Sequence, residues 1–372
     1  MKKASVLIIG IFFLLIMRFT VCAQSDIYGE IYRDSGMDEV KRSVDGDTRA
    51  FLESENIDPE NRDWVNSLKA ENVFSHIFGF IKSGAKAPVK AGAAVIGIVI
   101  IAAALNAYGI ENTNAAVRFA VTLSVCAVTV FGVYDSINAA VNTVKGSSSF
   151  MMTFVPVYMS VLSVAGARAT AISNGAILLA AAEFISGISA FFLTAIMGTY
   201  LSLGISSSVS PLLNGAALAE TLKKCGMWLM SLCTTVFIGI LSVTSTVNSA
   251  ADSVRTRTAK FIIGTCVPVA GTALSGAANT VSAGIALLKT SVGIYGVVVL
   301  AAMCLPVLAE LLVWRLMLWL SSGVCEVFSI SETAKLLKAV DSMLAFLTGV
   351  LLLVEATFII SLSVTVGAVK AF

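Results

Sequence analysis

The sequence is poor in charge and in histidine, and both shortages restrict what the protein can be. Only 13% of its 372 residues are Asp, Glu, Lys or Arg, whereas 57% are hydrophobic. A soluble domain has about 25% charged residues, so the chain is predicted to be a polytopic membrane protein. Its one histidine, His76, has no second histidine with which to complete a zinc site. Neither a metal ion nor another cofactor is expected.

Enzyme motifs are also missing. The seven cysteines are scattered with no C-x-x-C pair, so they indicate neither a disulfide framework nor a metal site. The sequence contains no phosphate-binding G-x-x-x-x-G-K-[ST] loop, no G-x-S-x-G elbow and no H-E-x-x-H helix. We therefore predict a protein that is not an enzyme and has no catalytic residues. Energy for any transport would come from a partner or from a gradient.

The amino terminus has the pattern of a secretory signal. Two lysines precede an apolar run, and the Val-Cys-Ala that follows has the small-x-small form of a signal-peptidase site. We predict a signal peptide over 1–23, cleaved between Ala23 and Gln24. An uncleaved first span is the alternative, but the apolar run is only about 12 residues long, and about 20 are needed to span a bilayer.

Three segments are predicted after the signal peptide. The first, 24–72, is acidic and extracytoplasmic, and it is too short to bury much of a core by itself. We expect short helices there, one of them capped by Asp47. The second, 73–90, has apolar residues at helical spacing followed by lysines, the pattern of an amphipathic helix in the headgroup plane. The third, 91–372, is a multi-span membrane domain.

Apolar runs of spanning length divide the membrane domain. We predict about seven spanning helices, with six or eight still open, at 91–110, 115–133, 150–165, 171–203, 227–247, 294–318 and 344–369. With the amino terminus outside, the basic loop of Arg255, Arg257 and Lys260 falls on the cytoplasmic side, as the positive-inside rule requires. The predicted fold class is therefore all-α, with short extracytoplasmic helices ahead of a bundle of membrane helices.

The segment 261–288 is apolar but interrupted, and we predict that it is broken or re-entrant. It contains small and helix-breaking residues at Pro268, Gly271, Gly276, Thr280 and Gly284. Each of its arms is about 10–14 residues long, too short to cross a bilayer. Gly276, Thr280 and Gly284 repeat every fourth position and form a face of small side chains on which another helix can pack closely. A pair of tight helices without a pore role is an equally open interpretation.

Carboxylates inside predicted spans are the remaining candidates for function, because an ionised side chain is costly in lipid. Glu183 lies near the middle of the fourth span, after Asn174, and Glu355 lies within the last span. For both glutamates, a polar pathway and a buried hydrogen bond between helices remain open. Glu310 and Arg315, near the outer end of the sixth span, are expected to reach the headgroups or to pair with each other.

Three stretches of the sequence carry a resemblance to one family. They are LSVTSTVNSAADSVRTRTAKFIIGTCVPVAGTALSGAANTVSAGIALLKTSVGIYGVVVL, TFVPVYMSVLSVAGA and SGMDEVKRSVDGDTRAFLESENI. They are similar to the most characteristic region, an earlier span and the extracytoplasmic lead of the stage III sporulation protein AE family, multi-pass membrane proteins of endospore-forming bacteria. The resemblance covers nearly the whole chain and is strongest over 241–300.

The resemblance implies a place in a multi-protein complex in the mother-cell membrane that faces the forespore. The implied partners are the other stage III sporulation A-operon proteins, including a secretion-type ATPase, and indirectly stage II sporulation protein Q. No nucleic acid is expected. The implied role is a non-enzymatic subunit of a transenvelope secretion or feeding channel, needed for forespore development after engulfment.

The alternative function is that of an autonomous secondary transporter for a small solute. Transporter folds commonly contain an internal repeat with paired interrupted helices. This sequence has one strongly interrupted segment, and no similarity between its halves is visible. The subunit is therefore the favoured interpretation.

Overall fold

The structure is a computed structural model that describes residues 32, 35–61, 64–67, 79–82, 84–107, 114–209, 215–266 and 271–368. The side chains of some helical stretches, chiefly 188–197, 203–219 and 259–285, are outside this description. The described helices are α1 (Met37–Ser43), α2 (Gly46–Ser54), α3 (Trp64–Ser67), α4 (Lys86–Ala107), α5 (Asn114–Val164), α6 (Arg168–Val209), α7 (Gly215–Cys266), α8 (Gly271–Val327) and α9 (Ser331–Ala368). No strand occurs among these residues, and the predicted all-α class is confirmed.

Six of the described helices are long and apolar enough to cross a membrane. The spanning stretches are Lys86–Leu105, Val117–Val164, Arg168–Gly187, Glu220–Val254, Ala286–Val327 and Ser331–Gly367. The predicted count of about seven becomes six because 115–133 and 150–165 belong to the single helix α5. Four of the six stretches have 35 or more residues, whereas about 20 residues cross the hydrocarbon. Those four helices tilt strongly or continue beyond the hydrocarbon.

α5 is continuous because nothing between its two apolar halves breaks a helix. The residues 134–149 contain no proline, and their charged and amide side chains lie on one outer face of the helix. Pro156 lies farther along, at an exposed position. The helix ends at Val164, where Gly166 has a φ of 84° and the Ala167 N–H donates to the Leu162 carbonyl at 3.0 Å. A left-handed glycine is a common helix stop, because glycine adopts that conformation without strain.

α9 is the central helix of the bundle. It packs against α5, α6, α7 and α8, and 67% of its spanning window is buried, compared with 17% for α7. α8 and α9 form an antiparallel hairpin through a short turn. α4 packs on α5 and α8; Gly84, just before α4, lies beside Glu310, and Gly92 lies beside Met317. α4 and the last part of α8 therefore run parallel to each other.

Aromatic rings of α5 fill a close approach between α5 and α8. Phe150, Phe154 and Tyr158 repeat every fourth residue, and successive rings stack at centroid distances of 5.3 and 5.4 Å. All three side chains are fully buried. Gly296 of α8 makes room for them, since a Cβ at that position would lie 2.5 Å from Phe154 Cζ. A small residue facing large ones allows the close packing on which membrane helices depend.

The amino-terminal helices pack onto one end of the bundle. α1 lies against α5 and α2 lies against α8, and Met37, Val40 and Leu52 bury their side chains there. Trp64 of α3 is 1% exposed, and its Nε1 donates a hydrogen bond of 2.8 Å to Ser291 Oγ of α8. These short helices therefore share the core of the bundle, as expected for a segment too small to form a core alone.

The start of α2 corrects the predicted cap. Asp45, and not Asp47, accepts the Thr48 N–H at 3.0 Å. Asp45 has the extended backbone that a cap requires, whereas Asp47 already lies in the first helical turn. The segments 24–72 and 73–90 are described only in part, and 1–23, with its cleavage site, lies outside the described residues. The boundaries of these segments stay predictions.

Candidate functional site

Glu355 lies deep inside the bundle, on the central helix α9. Its side chain is 3% exposed, and its Oε1 accepts a hydrogen bond of 2.6 Å from Ser147 Oγ of α5. Among the described residues its Oε2 has no hydrogen-bond partner, and neither has the buried hydroxyl of the adjacent Ser148. A carboxyl group can accept several hydrogen bonds, so most of the capacity of this one is left unused by the protein.

A second polar cluster lies about 15 Å along α9 from Glu355. Asn174 of α6 is fully buried, and its Nδ2 donates to Ser245 Oγ of α7 at 3.0 Å and to Thr365 Oγ1 of α9 at 3.2 Å. Three helices therefore meet at one amide. In the described part of the chain, Asn174 Oδ1 has no partner, and neither has the buried hydroxyl of Ser361, one turn from Thr365.

We call these two clusters of buried polar groups together the polar ladder: Thr365, Asn174, Ser245, Ser361, Glu355 and Ser147. A rise of about 9 Å along α9 separates Ser361 from Glu355. Three of the six residues carry a buried polar atom that no described residue satisfies. An unsatisfied buried atom of this kind costs about 1–3 kcal/mol. The ladder is therefore costly as a purely structural feature, which makes it a candidate binding site for a small polar species.

Asp252 of α7 binds the start of α6. Its Oδ1 accepts the Ala169 N–H at 3.0 Å, and its Oδ2 accepts both the N–H and the hydroxyl of Thr170 at 2.9 Å. The carboxylate is 2% exposed. The first N–H groups of a helix have no partner within the helix and carry partial positive charge, so a carboxylate is stabilised there. This contact ties α7 to the tight turn between α5 and α6.

The outer face of α5 carries a row of exposed polar side chains, which we call the polar stripe: Asp135, Asn138, Asn142, Lys145 and Ser149. Spacings of three and four residues keep all five on one face, over about 21 Å. The inner face of the same helix fixes its depth, because Ser136 donates a hydrogen bond to Glu310 of α8 and Ser147 donates to Glu355. The stripe therefore lies beside the middle of the spanning stretches of α8 and α9.

Glu183, predicted near the middle of a span, lies on the outer surface of α6 and is exposed. α6 runs antiparallel to α9, and the Asn174–Thr365 hydrogen bond aligns the two helices. Glu183 follows Asn174 by nearly as many residues as Glu355 precedes Thr365, so both glutamates lie at a similar depth. One lies on the surface and the other inside, and the structure does not join them in one site.

Glu310 and Arg315 do not form the mutual pair that the sequence suggested. Glu310 accepts a hydrogen bond from Ser136, and Arg315 Nε donates to Asp341 Oδ1 of α9 at 3.0 Å. Residues five apart lie on different faces of a helix, whereas neighbours on one face are three or four apart. Each side chain therefore finds its partner on another helix.

The predicted broken segment lies across the junction between α7 and α8. α7 ends at Cys266 and α8 begins at Gly271, and Pro268 falls among 267–270, outside the described residues. The backbone is helical at the other predicted positions, but their surroundings are outside the description: Gly276, Thr280, Gly284, Arg255, Arg257 and Lys260. A re-entrant path stays a prediction, as does cleavage between Ala23 and Gln24. Four described spanning stretches separate the amino-terminal helices from the basic loop, so the two lie on the same side of the membrane, and an extracytoplasmic amino terminus and a cytoplasmic basic loop exclude each other.

Most residues of the ladder gave no signal in the sequence. Ser147, Ser245, Ser361 and Thr365 are residue types that any helix accommodates, and their partners come from distant parts of the chain. Asp252 did carry a signal, as an isolated acid just past an apolar run. Among the residues that the structure describes, no three His, Cys, Asp or Glu side chains are grouped so as to hold a metal ion.

Comparisons with known proteins identify the family of this chain. A family model described as stage III sporulation protein AE matches residues 62–369. The chain is also similar to the stage III sporulation protein AE of Bacillus subtilis (strain 168), with 23% identity over 346 residues, 92% of this chain and 82% of that protein. No solved structure matches the chain. Since the family model covers most of its length, the chain belongs to the stage III sporulation protein AE family, membrane proteins involved in sporulation.

Proposed function

We propose that the protein is a non-enzymatic integral membrane subunit of a sporulation-specific secretion or feeding channel between mother cell and forespore, needed for forespore development after engulfment. In this proposal it lies in the mother-cell membrane that faces the forespore, with its amino-terminal segment outside the cytoplasm. Its partners are the other stage III sporulation A-operon proteins, among them a secretion-type ATPase, and indirectly stage II sporulation protein Q. Membership of the family supports this assignment.

The polar stripe of α5 is the observation that carries the proposal. Lipid tails offer no hydrogen bonds, and a charged side chain at the centre of a spanning helix costs about 2.5–3.5 kcal/mol. Asp135 and Lys145, with two asparagines between them, are exposed beside the middle of the bundle. Such a surface is unfavourable against lipid and favourable against polar groups of another protein. It therefore supports a subunit with partners within its own membrane or immediately outside it.

An autonomous transporter is the second candidate, and the polar ladder is the observation that favours it. Secondary transporters bind solutes near the middle of the bundle, at buried polar groups. A transporter that works alone, however, has no use for a polar outer surface on α5. Family membership and the stripe together support the subunit more strongly.

Charge reversal on the stripe tests the proposal. We expect Asp135→Lys and Lys145→Glu each to insert and fold normally, because both side chains are exposed. Each should weaken co-purification with the other sporulation proteins about tenfold or more, the effect of about 1.4 kcal/mol, and should reduce the yield of heat-resistant spores. Lys335→Glu, a reversal at an exposed position on α9, is the matched control. Normal co-purification and normal sporulation in both stripe variants would contradict the proposal.

A further inference from the structure

The surroundings of Glu355 contain no cation among the described residues that contact it. α5 presents Ser147 and Ser148, and α8 presents the buried thiol of Cys304, which is close enough to interact electrostatically with the carboxyl. On α7 the nearby hydrogen bond is the one from Thr357 of α9 to Thr234 at 3.1 Å, two residues beyond Glu355 and on the opposite side of α9. A thiol carries no positive charge, so Cys304 does not compensate a carboxylate.

The charged side chains at a similar depth lie on the outer surface. Lys145 of α5 and Glu183 of α6 are both exposed, so neither compensates a charge on Glu355. Burying an ionised carboxylate without a cation costs several kcal/mol, and a single hydroxyl donor offsets only a small part of that. The neutral acid avoids the cost, and it adds an O–H donor to a site rich in hydroxyl oxygens.

Other unsatisfied atoms lie toward one end of the bundle, beginning with Ser361, which is about 9 Å along α9 from Glu355 and a third of a turn around the helix. Asn174 Oδ1, Ser361 Oγ and Glu355 Oε2 are all buried and have no partner in the described part of the chain. Thr365 and Ser361 are one helical turn apart on α9, a rise of about 6 Å. That distance is spanned by two hydrogen bonds through one water molecule, and buried water typically bonds about three otherwise unpaired polar groups.

We propose that Glu355 is a proton-binding site and that the polar ladder is its hydrated access route, entered from the end of the bundle where Asn174 meets Thr365. The ligand is a proton delivered by water. Binding forms an O–H bond at the carboxylate and converts a hydronium ion to water, and release reverses the step without any redox change. The site lies inside the bundle, so the inference goes beyond the proposed partner surface and holds independently of it.

Infrared spectroscopy of the purified full-length protein in lipid vesicles reports directly on the protonation of Glu355. The C=O stretching band of a protonated carboxyl group lies at a higher frequency than the bands of a carboxylate or an amide, and it shifts when the proton exchanges with D2O. We expect such a band at neutral pH in the unmodified protein and its loss in Glu355→Gln. The glutamine keeps an oxygen that can accept from Ser147, so the fold should be retained. The band should shift promptly in D2O.

Two valine substitutions on the same helix test the access route. Ser361 is buried on the ladder, whereas Ser363 is exposed and donates only to the Ile359 carbonyl of its own helix, at 2.7 Å. Ser361→Val should slow exchange of the Glu355 proton about tenfold or more, and Ser363→Val should leave it unchanged. Because both variants keep Glu355, this comparison remains informative even if Glu355→Gln misfolds.

Two results would overturn the inference. If the protein at neutral pH has no protonated-carboxyl band that depends on Glu355, Glu355 is not a proton-binding site. If the band exists but exchanges equally in the two valine variants, the ladder is not the route. The measurement needs no partner protein, so either outcome is distinguishable from a failure of the channel-subunit proposal.

Discussion

α9 and α7 are both apolar enough to span a membrane, yet they have opposite positions in the bundle. 67% of the spanning window of α9 is buried, against 17% for α7. α7 exposes a continuous apolar row that includes Trp228, Leu232 and Val236, as a lipid-facing helix does. α9 buries Glu355 and Thr365 among four neighbouring helices. Apolar composition thus shows that a helix can enter lipid, but it does not show how much of that helix is covered by other helices.

α7 also differs from the core of the bundle in how it is held. The core around α8 and α5 relies on large side chains packed against glycine, as at Phe154 and Gly296. α7 also buries Met230 and Leu241, but most of its apolar surface is exposed. It adds polar contacts at Thr234, Ser245 and Asp252, spaced 11 and 7 residues apart. Since hydrocarbon removes most of the hydrophobic driving force between helices, hydrogen bonds of this kind account for much of the attachment of a peripheral helix. The predictions that follow test this contrast.

The largest difference in stability is expected between alanine substitutions at two tryptophans. Trp314 of α8 is 1% exposed and its ring lies against Gly132 of α5, whereas Trp228 of α7 is 65% exposed. Trp314→Ala leaves a large cavity and should cost about 3–5 kcal/mol, while Trp228→Ala should cost little. The midpoint of thermal unfolding in detergent, followed by circular dichroism, measures both. Similar losses in the two variants would mean that the surface of α7 is covered by protein.

The next largest effect is expected at Asp252. Asp252→Ala removes the acceptor for buried donors at Ala169 and Thr170, which should cost about 1.5–3 kcal/mol. Asp252→Asn retains one acceptor oxygen and should cost less. Amide hydrogen exchange at Ala169 and Thr170 should rise most in the alanine variant. If exchange there is unchanged, α7 is attached by other contacts.

Two glycine-to-alanine substitutions should change the stability of the protein by intermediate amounts and in opposite directions. Gly296→Ala places a methyl group 2.5 Å from Phe154 Cζ in the core and should cost about 1–3 kcal/mol. Gly239 of α7 has nothing within 4 Å of an added Cβ. Gly239→Ala should therefore stabilise the helix by up to about 1 kcal/mol. A loss of stability from Gly239→Ala would place an unseen contact on the outer face of α7.

The smallest effect is expected at an exposed ion pair. Lys338 of α9 pairs with Glu326 of α8, and their side chains are 61% and 54% exposed. Exposed pairs contribute less than about 1 kcal/mol and are screened by salt. Lys338→Ala should lower the unfolding midpoint only slightly, and the difference should shrink as the salt concentration is raised. If Lys338→Ala reduced the stability as much as Asp252→Ala, the exposure of an ion pair would not determine how much it contributes to stability.

The all-α membrane fold followed directly from composition and run length, but the number of helices did not. Apolar run length predicts two separate spans at 115–133 and 150–165, because the residues between them are polar. Their charged and amide side chains repeat at three and four residues, from Asp135 to Lys145, so they belong to the outer face of one continuous helix. The helical periodicity within the polar stretch indicates a continuous helix, and a count of apolar run lengths does not detect it.

The sites could be predicted less completely than the fold. Glu355 stands out in the sequence because a carboxylate in a span is rare, but its partner Ser147 lies 208 positions away in the chain. Asn174 similarly bonds residues of two other helices. Glu183 has the same sequence character as Glu355 and yet lies on the surface. Which face of a helix is buried depends on the packing of several long helices, and local sequence does not contain that information.

Site-specific photo-crosslinking in sporulating cells tests most directly whether the polar stripe meets other proteins. A photoreactive amino acid replaces Asn142, at the centre of the stripe, or Val243, on the exposed apolar face of α7. We predict that position 142 crosslinks to one or more other sporulation proteins and that position 243 does not. Crosslinking at neither position, in cells that sporulate normally, would contradict the account of α5 as a partner surface.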